Sequence, residues 1–151
     1  MNSIRVINKD AYTIEVNDNG DTITFNLTDI ELPFKLERAY KMANDAAKWL
    51  KGQQVIIAKK QDTAKKGDLM TTKERATLEA YRECFKKMRA AIDEFAGAGA
   101  SQKIFGDQNY LEMFNDFMRE MQPHLDKMNL KSVDIRKKIE EKYSDTAKDE
   151  I

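Results

Sequence analysis

The only cysteine and the only histidine of the chain, Cys84 and His124, are the first candidates for chemistry. A thiol nucleophile needs a base such as an imidazole within hydrogen-bond reach. Cys84, however, lies between apolar positions Tyr81 and Phe85 of one predicted helix, and His124 follows Pro123 at the end of another. We therefore expect Cys84 to be a half-buried packing residue and His124 to be a surface or capping residue. A single cysteine and a single histidine also exclude an intramolecular disulfide and a multi-His or Cys-rich metal site.

Two groups of acidic residues could suggest a metal site. Glu112, Asp116 and Glu120 recur every four residues, which places them along one helix face. They come from a single helix with no partner motif, so we expect a solvated face. Residues 17–21 read Asn-Asp-Asn-Gly-Asp, but they lack the ligand spacing and terminal Glu of an EF-hand loop. The Asn-Gly pair predicts a hairpin turn instead.

Known catalytic and nucleotide-binding motifs are missing from the sequence. There is no phosphate-binding loop, dinucleotide fingerprint, zinc-protease motif or nucleophile elbow. We therefore predict a protein that is not an enzyme and that has no cofactor and no metal.

The composition of the chain limits the kinds of partner that it is expected to bind. The 151 residues include 26 basic and 26 acidic side chains, and zero net charge argues against a general nucleic-acid binder. No segment approaches the roughly 20 apolar residues of a membrane span, and no secretory signal follows Met1. We expect a complete cytoplasmic protein with no membrane or nucleic-acid partner.

Charge is uneven along the chain. Residues 1–30 carry two basic and five acidic side chains, and residues 31–66 carry nine basic and four acidic. Such a division could help copies to assemble head to tail, although ordinary solvated faces are the simpler explanation. The cluster Lys59, Lys60, Lys65 and Lys66 has no interleaved aromatic residue, so we expect a solvated loop there.

The first thirty residues have the pattern of strands. Apolar and polar residues alternate along two segments on either side of residues 17–21, with the apolar positions Tyr12, Ile14 and Val16, then Ile23, Phe25 and Leu27. This period of two predicts a β-hairpin. An additional short strand is possible over residues 4–7. Because a lone hairpin is marginal in water, it must pack on another element or another subunit.

The rest of the chain has the pattern of helices. The first helix is predicted from Leu32-Pro33-Phe34 to Gly52, and residues 55–58 form either a further turn or a short strand, with helix favoured. Residues 59–68 are predicted to be a loop.

A second helix is predicted over residues 72–96. Thr71 and Glu74 form a capping box at its start. Its apolar residues follow a heptad-like seam: Leu78, Tyr81, Phe85, Met88, Ile92 and Phe95. The seam fits a core helix of a monomeric bundle or a contact between subunits, and its spacing does not distinguish them.

Two further helices are predicted after a compact connection at 101–107, in which Ile104 and Phe105 enter the core. Asn109 and Glu112 suggest a capping box for a helix that Pro123 ends or kinks. The apolar stripe of this helix is Leu111, Phe114, Phe117, Met118 and Met121. A last helix is predicted from Ser132 through Tyr143.

The predicted fold is α+β and mostly helical, with an N-terminal β-hairpin or small antiparallel sheet followed by three to four helices. Residues 1–143 form a single domain, with a β-hairpin region at 1–30 and a helical region at 31–143. The polar residues 144–151 are expected to be a disordered tail.

The segment from 103 to 121 resembles a known family. It contains Ile104-Phe105-Gly106-Asp107, then Tyr110-Leu111 and Phe114, followed by a helix rich in Met and Phe. In this order it is similar to the C-terminal part of the tail assembly chaperones of long-tailed phages and prophages of Gram-positive bacteria. The opening strands are also similar to small proteins from such tail gene clusters.

The resemblance implies a function and a partner. Such chaperones bind the long helical tape-measure protein until tail-tube subunits assemble around it, so a homo-oligomer with a helical partner, and possibly the tail-tube protein, is expected in the host cytoplasm. An adaptable face of Met and aromatic residues could cover an apolar helical stripe. The candidate partner-binding residues are Tyr81, Phe85, Met88, Phe114, Phe117, Met118 and Met121, which are equally candidates for the core.

A second hypothesis remains open. The chain could be a dimeric helical adaptor or a small regulatory protein of a mobile element, paired through the seam of the second helix. Its Lys-rich loop at residues 59–66 would then be a possible anion contact.

Overall fold

The computed structural model describes residues 1–6, 10–130 and 140. A two-stranded antiparallel sheet, β1 (Ala11–Glu15) and β2 (Thr22–Asn26), is followed by four helices. These are α1 (Leu32–Ala58), α2 (Thr72–Ala96), α3 (Ala100–Phe105) and α4 (Met113–Lys127). The α+β, mostly helical prediction is confirmed. The predicted last helix from Ser132 through Tyr143 and the tail at 144–151 lie outside the described residues, except for Glu140, which is helical and exposed.

The β-hairpin forms as its alternation predicts. Tyr12 pairs with Phe25 and Ile14 with Ile23, so these apolar side chains share one face of the sheet. The side-chain oxygen of Asn17 accepts the N–H groups of Asn19 and Asp21, and Gly20 takes the positive φ that the turn requires. The predicted turn is confirmed, whereas the additional strand at 4–7 is wrong because Ile4 to Val6 are not in a strand.

The hairpin packs within its own chain. The ring of Phe25 contacts that of Phe95 on α2, with 4.8 Å between centroids. Around this contact lies a core cluster drawn from both strands' inner face and all four helices, including Ile23, Leu32, Ile92, Ala100, Met121 and Leu125. A second cluster lies closer to the loop between α1 and α2 and contains Ala46, Cys84, Phe85 and Met113.

Helix α1 is longer than its sequence signals predict. It continues through Gly52 to Ala58, so the predicted end at Gly52 is wrong and the helical interpretation of residues 55–58 is confirmed. A glycine inside a helix costs only about 0.5–1 kcal/mol relative to alanine. The extended packing of α1 against α2, which includes the burial of Ile57, outweighs that cost.

Helix α2 has the predicted bounds and the predicted cap. The Thr71 hydroxyl accepts the N–H of Glu74, while the Glu74 carboxylate accepts the N–H of Thr71. Phe85, Ile92 and Phe95 of the seam are buried inside the chain, whereas Leu78 is 52% exposed. The seam is therefore used for packing within one chain over most of its length.

The connection after α2 contains the short helix α3. Gly97 and Gly99 both adopt positive φ, which lets the chain reverse between the two helices. The carboxylate of Asp93 accepts the N–H of Ser101 at 2.8 Å, so α2 supplies a hydrogen bond to the start of α3. Ile104 and Phe105 pack against the core as expected.

The predicted capping box of α4 does not form, and of the two roles predicted for Pro123, ending or kinking the helix, the first is wrong. The helix begins at Met113 with Glu112 as its N-cap residue and without a side-chain cap, and the Asn109 side chain accepts a hydrogen bond from Arg89. The helix also continues through Pro123 to Lys127. Burial of Met121, Leu125 and Met128 in the core compensates for the backbone hydrogen bond that proline cannot donate.

The capping box of α2 leads to a prediction about stability. Thr71→Ala removes the acceptor for the Glu74 N–H and should lower the free energy of unfolding by about 1 kcal/mol. Urea titration followed by circular dichroism measures this difference. Glu79→Gln, an exposed change on the same helix, is the control and should stay within about 0.5 kcal/mol of the parent. Equal stability of the Thr71 variant and this control would contradict the role of the cap.

Candidate protein-binding site

An apolar groove runs between α1, α2 and α4. Its volume is about 90 Å³, which suits one inserted apolar side chain rather than a whole helix. The walls consist almost entirely of carbon and sulfur atoms from three helices: Leu36, Ala39, Tyr40 and Ala43 of α1, Met88, Ala91, Ile92 and Phe95 of α2, and Phe114, Phe117, Met118, Met121 and Leu125 of α4.

Five of the seven predicted partner-binding residues line this groove. They come from two helices: Met88, Phe114, Phe117, Met118 and Met121. Met121 is buried in the floor, and Met118 is the most exposed of the five, with 38% of its surface accessible. The other three are half-buried. The structure therefore brings these five together, but only Met118 offers an exposed side chain at the lip of the groove.

Tyr81 and Phe85 do not line the groove. Phe85 is buried in the second core cluster, where its ring lies 5.0 Å from that of Phe114. Tyr81 packs beside Phe85, with 6.0 Å between ring centroids, and its hydroxyl accepts a hydrogen bond from Gln54. Both residues stabilise the contact of α2 with its neighbours and contribute nothing to the walls of the groove.

Tyr40 is a groove residue that the sequence analysis did not select. It lies on α1, opposite the Met-rich helix, and is 44% exposed. The available signal was its spacing, since Tyr40 follows Leu36 by four residues and both belong to one helix face. An aromatic side chain at an exposed position of that face is a stronger sign of a contact surface than a buried Phe.

A second, larger cleft lies on the other side of α4, where this helix faces the β-hairpin. It encloses about 340 Å³. Ile14, Val16 and Ile104 are among the apolar residues of its walls, while Glu15, Asp116 and Glu120 supply carboxylates. Phe117 and Met121 line both the cleft and the groove, so these two side chains separate the two spaces.

His124 lies in the wall of this cleft rather than at a free helix end. Its Nδ1 atom and the hydroxyl of Tyr12 are 2.7 Å apart and share a hydrogen bond, and the two rings meet edge to face. The expected surface or capping role is therefore replaced by a contact that ties α4 to β1.

The residues first considered for chemistry are engaged elsewhere. Cys84 is buried, and its thiol donates to the carbonyl oxygen of Ala46 at 3.6 Å. Burial raises the pKa of this thiol, with a smaller opposing influence from Lys87. His124 bonds to Tyr12 instead, so no Cys–His pair is assembled.

The acidic row on α4 belongs to local ion pairs and hydrogen bonds. Asp116 and Glu120 both lie near the guanidinium of Arg119, at 3.2 and 3.9 Å, and Glu112 accepts from Asn115. Within the part of the chain that the structure describes, no three His, Cys, Asp or Glu side chains are grouped so that they could hold a metal ion.

The burial of Cys84 predicts slow thiol chemistry. In the native protein its reaction with a disulfide reagent at neutral pH should be at least about tenfold slower than in the urea-unfolded chain, because the thiolate is disfavoured and access is blocked. The change in absorbance of the released thiolate measures both rates on the same sample. Equal rates in the two states would contradict the assignment of Cys84 as a packing residue.

No family model, curated protein or solved structure matches this chain. The resemblance of residues 103–121 to phage tail assembly chaperones therefore stays a prediction. Among the described residues, no helix has both the length and the apolar character needed to cross a bilayer.

Proposed function

We propose that this chain is a non-enzymatic tail assembly chaperone of a phage or prophage. In this proposal it binds the helical tape-measure protein in the cytoplasm of the bacterial host and aids assembly of the tail tube, with the tail-tube protein as a second partner. The observation that carries the proposal is the apolar groove between α1, α2 and α4, with Tyr40 and Met118 at its lips.

The groove has the chemistry that an apolar helical partner requires. Its walls offer almost no polar atoms, so a polar ligand entering it would lose hydrogen bonds to water without replacement. A partner helix can instead insert one apolar side chain between α1 and α4 and lie across the exposed lips. The methionines Met88 and Met118 have flexible side chains that can adapt to different inserted residues along a long partner.

Self-association is part of the same proposal. A long helical partner presents many similar apolar stripes, and several copies of a small chaperone would be needed to cover them. Joining the copies would raise the effective concentration of each groove near the next stripe.

The alternative of a dimeric helical adaptor relied on a free seam along α2. The structure buries Phe85, Ile92 and Phe95 of that seam within one chain. Only Leu78, at the distal end, stays largely exposed. No further observation favours the adaptor over the chaperone.

Met118 gives the sharpest test of the groove. Met118→Asp places a carboxylate at the lip, and binding of an apolar helix would then have to desolvate that charge. We expect at least about a tenfold loss of affinity, with the melting temperature nearly unchanged. The measurement is the soluble fraction of a co-expressed tape-measure-type helical protein, together with thermal unfolding of the purified variant.

Two further variants separate binding from folding. Leu111→Asp also introduces a carboxylate at an exposed apolar position, but outside the groove, and should preserve solubilisation. Phe117→Asp should lower the melting temperature, because Phe117 is half-buried and packs on Phe105. Full solubilisation by Met118→Asp would refute the groove as the binding site.

A further inference from the structure

The loop between α1 and α2 is rich in basic residues. Residues 59–68 contain four lysines and two aspartates. The aspartates serve the backbone of the loop itself, since Asp62 accepts the N–H of Lys73 at 3.1 Å and Asp68 accepts that of Lys65 at 2.9 Å. The lysine side chains are exposed, so the tip has a net positive charge.

An exposed leucine follows directly after these lysines. Leu69 has 93% of its surface accessible, although a well-defined turn precedes it. The N–H of Asp68 donates to the carbonyl of Lys65 at 3.0 Å, and Gly67 adopts the positive φ that closes this turn. The turn therefore presents the side chain of Leu69 to solvent directly beside the lysines.

The loop is also held firmly to α2. The N–H of Thr72 donates to the carbonyl of Thr63 at 2.8 Å, and the Thr72 hydroxyl accepts the N–H of Thr63 at 3.0 Å. We call residues 59–71 the tip. Their positions are fixed relative to the helices, so the tip can act as a preformed contact surface.

The cleft beside the β-hairpin has the complementary chemistry. Its apolar walls are accompanied by three carboxylates, of Glu15, Asp116 and Glu120. Arg119 pairs with Asp116 and, more loosely, with Glu120, which leaves a net negative charge among these four side chains. The 340 Å³ of the cleft equals roughly ten water volumes, enough for a leucine side chain and part of a neighbouring lysine.

A chain cannot place its own tip in its own cleft. The wall residue Met113 packs in the same cluster as Ala46, and twelve residues of α1 separate Ala46 from Ala58 at the tip end. At 1.5 Å per residue this distance is about 18 Å, and the other cleft residues belong to the core cluster still farther from the tip.

We propose that the tip of one copy docks into the cleft of a second copy. Leu69 enters between the β-hairpin and α4, while Lys65 and Lys66 face Glu15 and Glu120. Because tip and cleft are different surfaces, the contact is heterologous and each copy can bind one neighbour at each end. The assembly can therefore close as a reciprocal dimer or a larger ring, or stay open as a linear chain. This inference extends the self-association included in the proposed function, and its test uses the protein alone.

The experiment compares molar masses by light scattering and sedimentation over a wide range of concentration. The parent protein should form species larger than a monomer, and rising salt should reduce them because the lysine–carboxylate contacts are screened. Leu69→Asp should weaken association at least about tenfold. A double change, Glu15→Lys with Glu120→Lys, should weaken it as well by making the cleft repel the tip.

Mixing the two variants is the decisive step. Leu69→Asp retains an intact cleft, and the double cleft variant retains an intact tip, so an equimolar mixture should form one-to-one heterodimers and nothing larger. Ile30→Asp, which alters another highly exposed apolar residue away from tip and cleft, is the matched control and should keep the parental mass distribution. All variants should have the circular dichroism spectrum of the parent.

Several outcomes would overturn the proposal. A parent that stays monomeric throughout the concentration range has no such contact. An unchanged mass for Leu69→Asp, an equal loss for Ile30→Asp, or a mixture that stays monomeric would each place the contact elsewhere. Any of these results would leave solubilisation of a helical partner through the groove as a separate question, since Met118 belongs to neither the tip nor the cleft.

Discussion

The contact between Phe25 and Phe95 joins the β-hairpin to the helices, and the stability of the hairpin depends on it. A two-stranded hairpin has too little apolar surface to persist alone in water. In the α1–α2 pair, each helix has apolar residues on a face that the other helix does not cover. The two ring centroids are 4.8 Å apart, and the hairpin covers one end of the α1–α2 pair. Helices α3 and α4 cover the remaining sides of this core cluster. Both the groove and the cleft exist because α4 is held in this position.

Structural features that depend on residues close together in the sequence could be predicted correctly. The hairpin turn and the capping box of α2 are set by side chains within about four residues of the groups they bind, so residue types alone fix them. Gly52 and Pro123 are different, because each weakens a helix locally while burial of distant residues favours its continuation. The predicted capping role of Asn109 is wrong for a related reason, because its side-chain oxygen accepts a hydrogen bond from the distant residue Arg89 on α2.

The candidate site shows the limit of periodicity more clearly. Met118 and Met121 are three residues apart on one helix and belong to the same apolar stripe, yet one is 38% exposed and the other 5%. The apolar stripe of an amphipathic helix is wide enough to include residues in the floor of a groove and residues at its lip. Elements much earlier in the chain decide which residue faces solvent, since Met121 belongs to the core cluster that contains Ile23 and Ile92. The same limit explains why Tyr40 was not selected and why Tyr81 and Phe85 were.

The distal part of the α1–α2 pair has a consequence for cooperativity. Ile57 and Ala80 are buried there, but neither belongs to the two core clusters. Opening this end breaks contacts between α1 and α2, whereas opening the other end disrupts both strands and all four helices at once. The molecule should therefore unfold in a graded manner, with backbone amides near the tip exchanging their hydrogens through local opening and those around Phe95 only through global unfolding.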